Sequence, residues 1–274
     1  MCPESPRVHA VLPNCGCAAV RRACPDGAAK PGPLRPLSRS RRGTSPQFPG
    51  ARGRDRRRRS GCYPAAVPEL EAAARRETER ARRLFNRAAP LFLLIERWLE
   101  PQYGAALDAL ELPPGLSALD LGTGTGSLAK ILAERGHTVT GIDVAERLLR
   151  RAARRVPGAR FRRMDLADLA GIPDGAFDLV SVAYVLHGLS PELRRLTLGH
   201  AARIAAQAVL IFDYAAPGPW YVRLVEHLEG PHYPGFVRAP IGEALAGLGL
   251  SLARTVPISP ASACWLFARE DCTF

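Results

Sequence analysis

Ser117-Ala-Leu-Asp120-Leu-Gly122-Thr123-Gly124-Thr-Gly126-Ser127-Leu-Ala-Lys-Ile131 decides the fold. A short apolar run carries an acid, three glycines follow at alternate positions, and an amphipathic segment begins. The pattern predicts a strand, a tight turn and the start of a helix. Without a Cβ, glycine reaches backbone angles closed to other residues and lets peptide N–H groups approach a ligand. A dinucleotide fingerprint requires G-x-G-x-x-G, whereas the residue three after Gly124 is Ser127 and the third glycine comes one place early. Asp120, two residues before the first glycine, repels phosphate and attracts ammonium. The expected ligand therefore carries a cation.

Asp120-x-Gly122-x-Gly124-x-Gly126 resembles the first motif of class I S-adenosylmethionine-dependent methyltransferases, whose cofactor has an amino-acid tail and a sulfonium. The chain downstream agrees. His137 to Ile142 reads as a second strand closed by Asp143, 23 positions after Asp120, where a carboxylate suits two ribose hydroxyls. NAD-binding domains carry a similar acid, so Asp143 does not discriminate alone. Arg160 to Met164 reads as a third strand, followed by Asp165 and Leu166, and the resemblance implies that Asp165 caps the adenine pocket. Ala176 to Leu189 is similar to the fourth-strand region of the quinone-biosynthesis methyltransferases, in which a His or His-His pair follows the strand. Here the pair is His187-Gly188. Gln207 to Phe212 reads as a fifth strand ending in Asp213-Tyr214. Phe85-Asn-Arg87-Ala-Ala-Pro90-Leu-Phe92 is similar to the Tyr-Asp-Arg-x-Ala-Pro-x-Tyr segment of the same relatives, which implies an Arg87 pairing with the cofactor carboxylate. A surface arginine on a packing helix is the alternative. The resemblance thus implies S-adenosyl-L-methionine as cofactor, held by Arg87, Asp120, Gly122, Thr123, Gly124, Gly126, Asp143, Val144, Asp165, Leu166 and Ala183.

Strands alternating with helical segments predict an α/β fold, a doubly wound, mostly parallel sheet with right-handed crossovers. Helices are expected over Ser127 to Arg135, Ala145 to Arg155 and Pro191 to Ala206 behind a Ser190 cap, then over Trp220 to Leu228 and Ile241 to Leu248. Leu250 to Ile258 and Ala263 to Ala268 read as final strands, and a reversed last strand completes the family's seven-stranded sheet. Ahead of the glycine loop, Glu69 to Asn86, Pro90 to Leu99 and Tyr103 to Leu110 follow helical period, giving an N-terminal helical cover over 67–112 of a domain spanning 67–274.

Residues 1–66 hold 13 Arg and one Lys against three acids, so they carry +11 of the net +12 and leave the remaining 208 residues near neutral. Ten of the 25 prolines also lie there. A segment this poor in large apolar residues is expected to be disordered. The nucleic-acid reading invited by a pI near 10 therefore attaches to the tail and not to a face of the domain. The tail reads as an RNA- or membrane-binding arm centred on Arg52 to Arg59, as a targeting segment, or as an extension upstream of the real start. Composition favours the last, with a native start near Val67. Seven cysteines, an odd count without a C-x-x-C pair, predict reduced thiols in the cytoplasm and no metal site. No apolar run approaches the ~20 residues of a membrane span.

The chemistry implied is one in-line methyl transfer to a small-molecule acceptor, in which the protein chiefly aligns the reactants in a dry pocket. Strand ends nominate Tyr184, His187, Asp213 and Tyr214 as candidates for a base, with His187, Asp213 and Tyr214 favoured as catalytic residues. A satisfied core histidine is the alternative for His187. The segment Trp220 to Phe236 is dense in aromatics and histidines and suits a cover over a flat acceptor, while Glu226, three residues after Arg223, reads as an exposed ion pair. No Asn-Pro-Pro-Tyr or Asp-Pro-Pro-Tyr follows the fourth strand, nor a Pro-Cys nucleophile. An NAD-dependent oxidoreductase and an RNA-binding or non-catalytic relative that uses the arginine tail remain as other readings. The accepting atom and the oligomeric state are open at this stage.

Overall fold

Parallel strands buried on both faces read as apolar runs, and the centre of this molecule is built from three of them. A computed structural model describes residues 68–238 and 241–272, all within the unit Ser45–Phe274. The expected disorder of residues 1–66, and each reading of that tail, lie outside the described residues. Strands β1 (Ser117–Leu121), β2 (Thr138–Asp143), β3 (Arg160–Arg163), β4 (Phe177–Ala183), β5 (Ala205–Tyr214), β6 (Ser251–Ser259) and β7 (Ser262–Ala268) form one sheet in the order β3-β2-β1-β4-β5-β7-β6. The first five run parallel, and β7 is antiparallel to both β5 and β6. The strand order reverses between β1 and β4, and at such a switch point the carboxyl ends of the strands leave a crevice for ligand.

Helices α2 (Ser127–Glu134), α3 (Glu146–Arg155) and α4 (Pro191–Ile204) are the crossovers between parallel strands. Each begins as its sequence dictates. In α3, Leu148, Leu149 and Ala152 face the core, Glu146 occupies the first turn, and Arg154 and Arg155 the last, which matches charge to the helix dipole. Helix α4 starts with Pro191 behind Ser190, whose hydroxyl accepts from the Leu193 N–H at 3.4 Å. The expected helix over Pro191 to Ala206 ends earlier, at Ile204, because Ala205 already pairs with Phe177 in the sheet. Sheet pairing outweighs the helical preference of the alanines there.

A second departure is longer. The three expected N-terminal stretches form one helix, α1 (Pro68–Leu110), running through Pro90 and Pro101. Each internal proline removes one backbone donor, and side-chain bonds to the domain hold the helix in place. Glu96, buried on α1, takes both the Nε of Arg151 at 2.9 Å and its Nη2 at 2.7 Å. Glu100 takes Arg155 of α3 and the Lys130 ammonium of α2, the latter at 2.9 Å. Beyond β5, helices α5 (Trp220–Glu229), α6 (Tyr233–Phe236) and α7 (Ile241–Ala246) precede the final hairpin, and α6 is an element that periodicity does not reveal.

Candidate active site

The acids Asp120, Asp143, Asp165 and Asp213 sit at or just beyond the carboxyl ends of strands. Asp120 is buried near the end of β1, in register with Ser181 of β4, and the Ser181 hydroxyl donates to its Oδ1 at 2.7 Å. Burial drives the Asp120 carboxyl up to about 6; the Ser181 hydrogen bond opposes this and the Asp143 charge adds to it. The glycine loop then turns over this acid. Gly122, Gly124 and Gly126 all have positive φ, at 68°, 54° and 79°. A Cβ on Gly122 would stand 2.6 Å from Val185, and one on Gly126 2.9 Å from Ala152. At Gly124 the nearest atom would be the Gly122 carbonyl oxygen at 4.0 Å, so of the three glycines this one alone has open space beside its Cα.

Asp143, at the end of β2, braces the loop from the neighbouring strand. Its Oδ2 accepts from the Gly124 N–H at 2.9 Å and its Oδ1 from the Ala145 N–H at 2.8 Å, leaving one lone pair on each oxygen. Burial raises its pKa, against the lowering effect of the backbone N–H groups of Ala145, Gly124 and Val144. Asp165 Oδ1 accepts from the Ala167 N–H at 2.9 Å and from the Thr78 hydroxyl of α1 at 3.0 Å. Glu77 of the same helix accepts from the Ser190 N–H at 2.8 Å. Through these adjacent residues helix α1 ties the loop after β3 to the start of α4 at the carboxyl edge of the sheet. Thr123 is buried, and Val144, Leu166 and Ala183 are half-buried beside these acids.

The structure does not bring Arg87 to this group. Arg87 stands exposed on α1, without a partner among the described residues, and lines a cleft of about 340 Å³ with Arg82, Arg83, Asn86, Glu146, Arg147 and Arg150. The sequence motif aligned it with a pocket-facing arginine, but the continuous α1 turns it outward. The same cleft is locally basic although the excess charge of the chain lies in residues 1–66. Between residues 146 and 163 eight arginines stand against one glutamate, and near-neutral overall charge conceals this asymmetry.

On the other side of β4 the acceptor-side candidates meet. Tyr184 follows β4 with φ 51°, an unusual value for a tyrosine, and a 3-10 turn at Leu186–Gly188 then carries His187 inward. His187 Nδ1 lies 2.7 Å from Asp213 Oδ1, and its Nε2 lies 3.0 Å from Glu226 Oε2. Asp213, fully buried, also accepts from the N–H groups of Leu186, His187 and Tyr214 at 3.0, 3.3 and 2.8 Å. The Tyr214 hydroxyl donates to Glu226 Oε1 at 2.8 Å. Burial works to lower the His187 pKa, but the Asp213 and Glu226 carboxylates outweigh it and push it up to about 10. The ring is therefore an imidazolium at neutral pH with both nitrogens donating. Burial pushes Tyr184 up to about 12 and, with Glu226, raises Tyr214 further still. Tyr214, Tyr233 and Phe236 surround the His187 ring edge-on, at 5.0, 6.3 and 6.2 Å between centroids.

Glu226 corrects the expected exposed pair with Arg223. It is buried and joins His187 to Tyr214, whereas Arg223 is exposed. Sequence reasoning also passed over Ser181 and Thr78, which bind Asp120 and Asp165. A small hydroxyl at an otherwise apolar strand position was the available sign of Ser181; nothing local marks Thr78. The three side chains His187, Asp213 and Glu226 do not converge on one point, because the imidazole separates the carboxylates. Among the described residues no group of His, Cys, Asp and Glu is arranged to hold a metal ion.

A parallel five-stranded core, an antiparallel β7 and a three-glycine loop over an acid define a Rossmann-like methyltransferase fold. Residues 118–207 match the family described as methyltransferase domain. Over 116 residues, 42% of this chain, the sequence is 33% identical to an uncharacterized methyltransferase of Synechocystis and 31% identical to the demethylmenaquinone methyltransferase of Beutenbergia cavernae. These stretches cover 54% and 48% of those proteins, so the chain spans about half the length of the curated relatives it matches. The Synechocystis magnesium protoporphyrin IX methyltransferase, solved with bound SAM, superposes with a TM-score of 0.51 at 23% identity, over 76% of this chain and 100% of that one. The resemblance read from the glycine motif, and the seven-stranded fold, are both borne out. Among the described residues no helix is long and apolar enough to cross a membrane.

Proposed function

We propose that the domain binds S-adenosylmethionine across the carboxyl ends of β1, β2 and β4 and directs its methyl group to a small-molecule acceptor on the side of β5, α5 and α6. The observation that carries this reading is the buried Asp120 beneath the glycine loop, with open space beside the Cα of Gly124 and Asp143 bracing the loop through the Gly124 N–H. The donor set fits the chemistry of this cofactor. Asp120, ionised above about pH 6, offers a countercharge for an ammonium group, and Asp143 keeps a lone pair on each oxygen for ribose hydroxyls. Asp165 uses Oδ1 toward Thr78 and Ala167, which leaves Oδ2 for an exocyclic amine. When bound, the cofactor supplies a methyl carbon already activated by a sulfonium.

The chain's contribution is alignment and exclusion of water. Helix α1 reaches the carboxyl edge of the sheet through Thr78 and Glu77, and Tyr184, Tyr214, Tyr233 and Phe236 offer a lining suited to a flat acceptor. His187 is held by Asp213 as a positively charged donor, so in this arrangement it orients and does not accept a proton. Asp213 is the positioning residue for that ring, and Tyr214 a donor beside it. A cytoplasmic location belongs to the same proposal; Cys264 and Cys272 are free thiols.

Calorimetry on the full chain tests the reading. S-adenosylhomocysteine is expected to bind and NADH not to; binding of NADH alone would overturn it in favour of an oxidoreductase. Tritium transfer from labelled S-adenosylmethionine into metabolite pools then identifies the acceptor class.

A further inference from the structure

Two hydrogen-bond donors, the His187 Nε2–H and the Tyr214 hydroxyl, point at the two oxygens of a single carboxylate, at 3.0 and 2.8 Å. That carboxylate belongs to Glu226, on a helix inserted between β5 and β6. Among the side chains described on α5, Glu226 is the buried one, while Trp220, Arg223, Leu224 and His227 are exposed. An acid reaching inward from a helix whose other described groups, apart from the half-buried Val222, are exposed needs a local reason, because desolvating a carboxylate is costly without paired donors. The donors are supplied by the sheet. His187 is oriented by Asp213 at the end of β5, and Tyr214 is the next residue, its backbone N–H tied to the same Asp213 oxygen. The His187 ring and the Tyr214 backbone are therefore held from the sheet, whereas the carboxylate between the two donors arrives with α5.

We propose that His187 Nε2 and the Tyr214 hydroxyl form an acceptor subsite for an anionic oxygen group, a carboxylate or a deprotonated hydroxyl, and that Glu226 occupies this subsite until α5 lifts. This rests on the methyltransferase reading and specifies its acceptor. Charge-assisted donors of this kind bind oxyanions well in a dry pocket, and the surrounding rings of Tyr214, Tyr233 and Phe236 favour an acceptor whose acidic group is attached to an aromatic plane. An acceptor that binds as the anion has already surrendered its proton to solvent, which accounts for a site without a free base. Its oxygen or an adjacent activated carbon is then the nucleophile.

Benzoate is the probe, titrated into the full chain with no methyl donor present, so that the outcome is independent of cofactor binding. Replacing Glu226→Ala vacates the subsite, and benzoate is expected to bind roughly tenfold more tightly than to the unaltered chain, the equivalent of about one charge-assisted hydrogen bond. Adding Tyr214→Phe is expected to remove that gain. Should Glu226→Ala not fold, Glu226→Gln serves, with the ¹⁵N resonance of His187 Nε2 moving on benzoate addition. Equal benzoate affinity in folded variant and parent, or a His187 resonance that does not respond, overturns the proposal. Binding that survives Tyr214→Phe undiminished overturns it as well.

Discussion

The two halves of the crevice are built by different means. Around β1 and β2 the site is mostly backbone: three glycines with positive φ, open space beside the Cα of Gly124, and Asp143 bonded to the peptide N–H groups of Gly124 and Ala145, with the Ser181 hydroxyl on Asp120 as the side-chain exception. Around β4 and β5 it is side chain against side chain, with His187, Asp213 and Glu226 drawn from a turn, a strand end and a helix. Backbone sites depend on residues that can adopt a conformation, and side-chain sites on residues that meet at a distance. The first half therefore holds its shape through local geometry. The second holds it through charge.

Asp213→Asn should separate them most forcefully. It leaves the buried His187 with half of its compensating charge, and breaking such a pair costs about 3–5 kcal/mol. Denaturant unfolding is expected to reveal that loss, while S-adenosylhomocysteine affinity at low temperature stays within about threefold, since none of Asp120, Asp143 or Asp165 touches Asp213. A drop in cofactor affinity parallel to the stability loss would mean the halves are not independent. The unaltered protein offers the same test by titration. The His187 pKa is raised, so its stabilising charge is fully present below about 6.5 and is lost as pH climbs through about 10. Asp213, Glu226, Tyr214 and Arg194 are the groups around it, and α5 is the element expected to loosen first under alkaline conditions, read by faster exchange of its amides.

Gly126→Val attacks the backbone half. With φ 79° and Ala152 Cβ 2.9 Å from where its own Cβ would stand, valine combines a left-handed penalty with overpacking, about 2–5 kcal/mol together. Cofactor binding is expected to vanish with the stability, in contrast to Asp213→Asn. Retention of binding in a folded Gly126→Val chain would show that the loop tolerates a different path.

Asp120→Asn divides binding from stability within one half. The folded pKa of about 6 lies above the ordinary carboxylate value, so the ionised group costs stability above pH 6 and the cost is relieved as pH falls. Asparagine removes that cost at pH 7.5. The variant should be at least as stable as its parent and bind S-adenosylhomocysteine about tenfold to hundredfold more weakly, the value of a hydrogen bond to a charged group. For the parent, affinity should rise as pH increases through about 6. Flat affinity between pH 5 and 7.5 would remove Asp120 from the ammonium site.

The same contrast governs what the sequence discloses. Alternation of strand and helix, the glycine spacing and the acids at Asp120, Asp143 and Asp165 are written locally; strand direction is not, and the reversed β7 was legible only as what the resemblance implies. His187, Asp213 and Tyr214 were also legible as strand-end residues, but not that the first two bond one another or that Glu226 completes the set, since 39 positions separate His187 from Glu226. Arg87 shows the opposite limit: the structure places it exposed on α1, away from the strand-end acids. A short motif fixed its identity, and the path of α1 through Pro90, set by the Glu96 and Glu100 ion pairs far along the helix, turned it outward. Periodicity reports which face of a helix is apolar; it does not report where a 43-residue helix lies.

The smallest expected effect gives the sharpest comparison, because it removes one hydroxyl from each half. Ser181 donates to Asp120 at 2.7 Å and Tyr214 to Glu226 at 2.8 Å, so the two bonds match in kind and length. Ser181→Ala and Tyr214→Phe should each cost about 1–2 kcal/mol of stability. Their other consequences diverge. Losing the Ser181 bond removes a group that favours the ionised acid, so the Asp120 pKa rises further and S-adenosylhomocysteine binding at neutral pH weakens by a few-fold. Losing the Tyr214 hydroxyl leaves that binding unchanged and frees one Glu226 oxygen, so α5 amides exchange faster. If both variants alter cofactor affinity alike, the crevice acts as one cooperative unit through Tyr184, whose ring lies 5.6 Å from Tyr214 at the end of the strand that also carries Ser181. If only Ser181→Ala does, the cofactor side and the acceptor side are energetically separate, and an acceptor can exchange while the cofactor stays bound.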